Sequence, residues 1–299
     1  MYQQISSNKQ RTILLMLAFV VFLGLFGLVL SSVTRNSSFV IGISIFAIVY
    51  ALIGYYASAR VSLAIAGAKP VEKADAPELY RAVENLTIAA GLPMPKVYII
   101  DDPSPNAFAT GRDPRHAVVA ATSGLLDMMD KTELEGVISH ELSHVGNYDT
   151  RLMAVVVVLV GVLTIISHFF LRFTFFGGGR RDNNNGGDDM GPILLFVGIV
   201  MAVLAPIAAT IIQLAISRNR EYLADASGAL LTRYPEGLAS ALRKIEATNQ
   251  PLAHANTATA HLYIADPLKQ AGGKVAGLFN THPPIEDRIN RLMAMEGQP

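Results

Sequence analysis

His140-Glu141-Leu142-Ser143-His144 sets two imidazoles four residues apart with a carboxylate beside the first. On a helix, positions i and i+4 share a face, so both rings can approach one cation at about 2.0–2.1 Å. Glu141 then stands next to the first ring, within reach of a water at the same cation. The chemistry indicated is hydrolysis at a zinc ion, one per chain, against the plain alternative that these residues stand together by chance. Zinc needs a third protein ligand. The metzincin spacing would put glycine at position 147 and histidine at position 150, but the chain has Asn147 and Thr150 there. That ligand must come from a distant stretch.

The helix itself is legible. Thr132 and Glu135 have the spacing of a capping box, and Leu134, Val137, Ile138, Leu142 and Val145 form an apolar face. Upstream, Asp75, Pro77 and Glu78 open a helix through about Ala90, which Gly91 closes, with Leu79, Val83 and Leu86 as its buried stripe. Short strands are expected at Val97–Ile100, Asn106–Thr110 and Ala117–Ala121. Further helices are expected from Pro235 and from about Ile285.

Composition says where such a site would work. The chain has 299 residues, 51% hydrophobic and 16% charged, whereas soluble domains carry about 25% charged residues. A membrane protein is indicated. Zero net charge, and basic groups that do not interleave with aromatics, exclude a nucleic-acid partner. Without cysteine there is no disulfide framework, and only His, Asp and Glu remain as zinc ligands.

Four apolar runs follow. Ile13 to Leu30 is about 18 residues, or about 27 Å as a helix, and reads as a retained anchor rather than a cleaved signal. Phe39 to Ala57 is the second, with Tyr55 and Tyr56 suited to an interface. Leu152 to Phe176 continues from the zinc helix, and Ile193 to Ile216 is the fourth. The expected organisation is an N-terminal transmembrane hairpin (1–58), a catalytic part with the zinc helix (59–151), a second hairpin with a polar loop at 177–192 (152–216) and a second catalytic part (217–299). Lys9, Arg11, Arg60, Arg151, Arg218 and Arg220 fall on one side, which should be cytoplasmic, while Arg180 and Arg181 dissent.

This topology narrows the search for the third ligand. At 1.5 Å per residue His144 lies about 12 Å from its span and Glu221 about 7 Å from the fourth, so their depths are similar. Glu221 and Asp225 share a helix face, where the first can bind zinc and the second can orient a ligand histidine. Spacing alone does not choose between that role and a solvated acidic face.

Four motifs, in order, carry a resemblance: Asn106-Ala107-Phe108-Ala109-Thr110-Gly111, the zinc helix, Arg220-Glu221-Tyr222-Leu223-Ala224-Asp225-Ala226 and Thr281-His282-Pro283-Pro284-Ile285-Glu286-Asp287-Arg288. Over roughly residues 77 to 293 the chain resembles HtpX-type membrane zinc metalloproteases. The resemblance implies that His140, His144 and Glu221 bind zinc, that Glu141 is the catalytic carboxylate and that Asp225 supports the site. The usual Asn-Gly-Asp after the zinc helix appears as Asn147-Tyr148-Asp149, a departure confined to the local turn.

The fold expected is α+β: a mainly helical, zincin-like catalytic domain with a small β-sheet, plus four transmembrane helices. The function implied is an endopeptidase of the bacterial inner membrane, multi-pass and facing the cytoplasm, that cleaves unfolded or membrane proteins in quality control. Its oligomeric state is left open. Two alternatives stand beside it. One is a membrane protease for prenylated C-terminal peptides, which usually has a larger membrane part. The other is a noncatalytic scaffold or transporter with a structural metal site, but such sites normally use four protein ligands. His282 is a candidate oxyanion stabiliser, steadied by Arg288, or else an ordinary residue of a Pro-Pro turn. Asn106, Ala107, Phe108 and Ala109 are candidates for an edge strand that binds substrate through its backbone. His116, His168, His254 and His261 are expected to be structural.

Overall fold

Side-chain alternation along short strands decides how the molecule is layered. The architecture comes from a computed structural model that describes residues 2–176, 218–248, 250–253, 259–267 and 283–295. Its strands are β1 (Lys69–Pro70), β2 (Lys96–Ile100), β3 (Ala107–Thr110) and β4 (Val118–Thr122). They form one sheet in the order β1-β2-β4-β3, in which β2 and β4 run parallel and the other pairs antiparallel. Every residue of β3 and β4 is buried, so both faces of that half of the sheet are covered, while β1 is exposed.

The helices are α1 (Tyr2–Thr34), α2 (Ser38–Ile65), α3 (Pro77–Ala90), α4 (Ser123–Met128), α5 (Lys131–Gly146), α6 (Asp149–Phe176), α7 (Arg218–Thr232), α8 (Pro235–Ala247) and α9 (Ile285–Met293). Because strand residues alternate, Val97, Ala107, Ala109, Val119 and Ala121 pack with α5 and α3, through Leu134, Val137, Ile138, Leu142, Leu79 and Val83. Ile100, Phe108, Val118 and Ala120 face the other way, onto Leu63 of α2 and Met153 and Val157 of α6. One sheet therefore joins the zinc helix to the membrane helices.

On α1 and α2, Ile13, Leu14, Leu17, Val21, Leu25, Ile41, Ile45 and Leu52 stay exposed, as lipid-facing residues do. Phe19, Leu23 and Ala47 turn inward against Val155, Leu159 and Val162 of α6. Among the described residues, two helices are long and apolar enough to cross a membrane, and a third candidate is the bent pair α5 and α6. The fourth expected run, 193–216, and the polar loop lie outside the described residues.

Several local expectations shift. The expected continuation of the zinc helix into the third run is broken: α5 and α6 meet at 81°. Tyr148 takes φ 61 at that elbow, a left-handed conformation costly for a bulky residue. Lys9 and Arg151 stack on its ring at 4.4 and 4.9 Å. The capping box is Asp130 with Glu133, not Thr132 with Glu135. Glu133 is fixed there by Ser240 Oγ and Lys244 Nζ of α8, at 2.7 and 2.6 Å. Asp75 does not cap α3, whose N-cap is Ala76. Its carboxylate accepts the Glu72 N–H instead. Gly91 closes α3 with φ 65, as expected.

Candidate metal centre

The site forms where α7 crosses α5. Gly228 makes that crossing close: a Cβ there would meet the His140 amide nitrogen at 3.0 Å. With the helices this near, Glu221 on α7 faces the two histidines of α5. His140 Nε2 and His144 Nε2 are 3.1 Å apart, and the Glu221 carboxylate oxygens lie 3.5 Å from the first and 3.6 Å from the second. Donors held tetrahedrally at about 2.0–2.1 Å from one zinc stand about 3.4 Å apart, so these spacings fit the ion.

The second nitrogen of each ring has its own carboxylate. Asp225 Oδ1 lies 2.9 Å from His140 Nδ1, and Asp149 Oδ2 lies 3.1 Å from His144 Nδ1. A carboxylate only accepts, so each Nδ1 carries a proton, and in the neutral ring each Nε2 lone pair is turned to the shared point. Asp225 is gripped by Arg288, whose Nε and Nη2 donate to it at 2.8 and 2.7 Å. Arg288 is fully buried, and its Nη1 donates to the Ile264 carbonyl at 2.8 Å. Among the described residues its guanidinium therefore supports Asp225; His282, which it was also expected to steady, lies outside them, as does His254.

Burial and charge set the protonation of these groups. Burial opposes a charged His140 ring, but Asp225 and Glu221 outweigh it and hold the ring up to about 9, so a proton competes with a cation for this position. Burial pushes Glu141 up to about 7, against the pull of the two histidines. Burial would raise Asp225 too, but Arg288 holds it down at about 2. Glu141 Oε1 is buried without a hydrogen-bond partner among the described residues, an unmet acceptor that a water at the cation would satisfy.

Of the expected substrate edge, only part faces this centre. β3 is the last strand of the sheet, yet its Ala107 carbonyl already accepts the Ile264 N–H at 3.0 Å. Asn106 Nδ2 holds the Ala265 carbonyl at 3.1 Å. Phe108 turns to the opposite face and meets the Tyr263 ring edge-on at 5.1 Å, so its side chain cannot line a site beside α5. The Ala109 N–H donates to Glu141. His261 is buried against the Met153 carbonyl, at 3.2 Å, and His116 pairs with Asp113 on the surface, so both are structural. Sequence reasoning missed Asp149 and Arg220 as supports. The first lies five residues after His144, and that spacing was the available signal.

Among the described residues, His140, His144 and Glu221 are the group able to hold a metal ion. The sequence signature of peptidase family M48 matches residues 73–296. The chain is 48% identical over 298 residues to the protease HtpX homolog of Tropheryma whipplei (strain Twist), covering 100% of this chain and 99% of the other. It is also 48% identical over 301 residues to the protease HtpX homolog of Lactobacillus helveticus (strain DPC 4571), covering 99% and 100%. The crystal structure of S. mikatae Ste24p has the same fold at a TM-score of 0.52 and 16% identity, covering 98% of this chain and 67% of that one.

Proposed function

This chain belongs to peptidase family M48 and is a membrane zinc metalloprotease of the HtpX type, and we propose that it cleaves misfolded or membrane proteins internally, at the cytoplasmic face of a bacterial inner membrane. One observation carries the catalytic reading. Three convergent donors, two of them carboxylate-backed imidazoles, adjoin a buried glutamate with an unmet oxygen.

Zinc, when bound, supplies a Lewis acid that polarises the scissile carbonyl and lowers the pKa of water toward about 7. His140, His144 and Glu221 would hold it, while Asp225 and Asp149 keep the rings in the ligating tautomer. Glu141 takes the proton of the attacking water and returns it to the leaving amine. Held up at about 7 by burial, it can do both near neutral pH. Only three protein ligands converge among the described residues, which favours an enzyme over a closed structural zinc site.

The side of the membrane rests on the positive charges that flank the spans. Arg220 leaves that set, because it is buried on Asp149 at 3.0 Å. Lys9, Arg11, Arg60, Arg151 and Arg218 still support the assignment, together with four spans, the fourth at 193–216. Substrate would enter extended along the Ala109 end of β3, where main-chain groups serve any sequence. The deciding experiment is cleavage of an unfolded protein in detergent with added zinc, by the parent and by Glu141→Gln. Equal turnover by both would remove the proteolytic reading.

A further inference from the structure

The elbow between α5 and α6 carries a contact from the far end of the chain. Asn8 lies on α1, one turn before the apolar run from Ile13, and is buried. Its Nδ2 donates to Asp149 Oδ1 at 2.6 Å and to the Asn147 carbonyl at 2.9 Å. Asp149 is wholly buried; its Oδ1 also takes Arg220 Nε at 3.0 Å, and its Oδ2 faces His144 Nδ1 at 3.1 Å. We propose that Asn8 is a positioning residue for the zinc ligand His144, so that the first membrane helix is a working part of the metal centre.

The physical argument has two parts. A helix ends with carbonyls that lack an intrahelical partner, and the Asn147 carbonyl, at the cap of α5, receives one from the Asn8 amide. The other amide proton, with Arg220, fixes one oxygen of Asp149 and thereby aims the second at His144. Without Asn8, a buried carbonyl and part of a buried carboxylate are left unmet, at an elbow already holding Tyr148 at φ 61. Thr12 ties the arrangement to α1, since its buried Oγ1 donates to the Asn8 carbonyl at 2.8 Å.

This inference rests on the zinc site but not on proteolysis. The test uses the full chain in detergent, loaded with zinc, and reads zinc content and the rate of release to a chelator. Groups behind a ligand histidine are worth about 10–100-fold in metal affinity. Because Arg220 still holds Asp149, Asn8→Ala should speed release toward the lower bound, about tenfold. Asn8→Leu keeps the branched shape of the side chain, removes the donor and should do the same if the alanine variant folds poorly. Asp149→Asn should also speed release, and adding Asn8→Ala to it should change little, since Asn8 acts through Asp149. Leu23→Ala, in the packed face of α1, should lower the melting temperature and leave release at the parent rate. Parent-like release from both Asn8 variants, or equal losses with and without Asp149→Asn, overturns the proposal. A parent that binds no zinc would instead defeat the metal site itself.

Discussion

Gly228→Ala sets two effects of opposite sign against each other. In a helix interior alanine is favoured over glycine by about 1 kcal/mol, so propensity alone makes the variant more stable. The crossing of α7 on α5 argues the other way. The new methyl would lie 2.9 Å from Ser139 Oγ, 3.0 Å from His140 N and 3.2 Å from Ser139 C, where ordinary contact begins at 3.4 Å. Two of these are backbone atoms of the zinc helix, and the Ser139 hydroxyl is held at 2.7 Å by the Gly136 carbonyl, so α7 has to move by about 0.4 Å. Zinc sites tolerate about 0.2 Å at each ligand. Glu221 and Asp225 ride on the same helix, so a rigid shift strains one ligand and loosens the support of another. Overpacking of this kind costs about 1–3 kcal/mol, which cancels or exceeds the propensity gain. Zinc affinity should fall on the order of tenfold or more. A tenfold loss removes about 1.4 kcal/mol of zinc-linked stability. The assay is thermal unfolding with excess zinc and with excess chelator, beside a chelator titration. The variant should be near the parent or below it in chelator, and lower still in zinc. A variant that melts higher in both and binds zinc like the parent refutes the close crossing.

His140→Ala, His144→Ala and Glu221→Ala should each lose zinc, while Glu141→Gln keeps it and stops cleaving; metal analysis beside a peptidase assay separates the two groups. With His140 held up to about 9, zinc has to displace a proton from it below that pH. Affinity should therefore weaken as pH falls, by about tenfold per unit. A chelator competition that is flat between pH 7 and pH 8.5 would contradict it. Single cysteines at Asn184 and at the exposed Glu246 should be labelled from opposite sides of the membrane. Equal labelling of both in intact cells by an impermeant reagent would remove the topology. Ala109→Pro deletes the N–H directed at Glu141 and should lower cleavage of unrelated substrates with zinc content unchanged. Unaltered cleavage by a folded variant means that substrate is held elsewhere.

What could be read in advance follows the reach of each interaction along the chain. His140 and His144 are one turn apart on one helix, so spacing alone defines their face. Glu221 and Asp225 are likewise a local pair, but spacing left their role open, the depth argument assumed a straight run from α5 into α6 that the elbow breaks, and it was the resemblance that brought the pair to the zinc helix. The capping box was ambiguous for a local reason: Thr132/Glu135 and Asp130/Glu133 have the same spacing. The tie is broken by Ser240 and Lys244, which grip Glu133 from α8 and are invisible to a window on α5. Phe108 shows a similar limit. A short strand was expected there, but which of its faces met the zinc helix depended on α6 filling the other side. The supports of His144 lay furthest from view, because they exist only through an 81° elbow. Asp149 reads as part of a turn until that bend swings it back under the ring. Asn8, 141 positions away from it, carries neither charge nor metal chemistry, so nothing in its residue type marks it. Its role becomes visible only when its amide is seen to meet a buried carboxylate that already serves a ligand. Residues that hold ligands from distant elements are thus the ones spacing cannot reveal, and here they are where the membrane helices enter the chemistry.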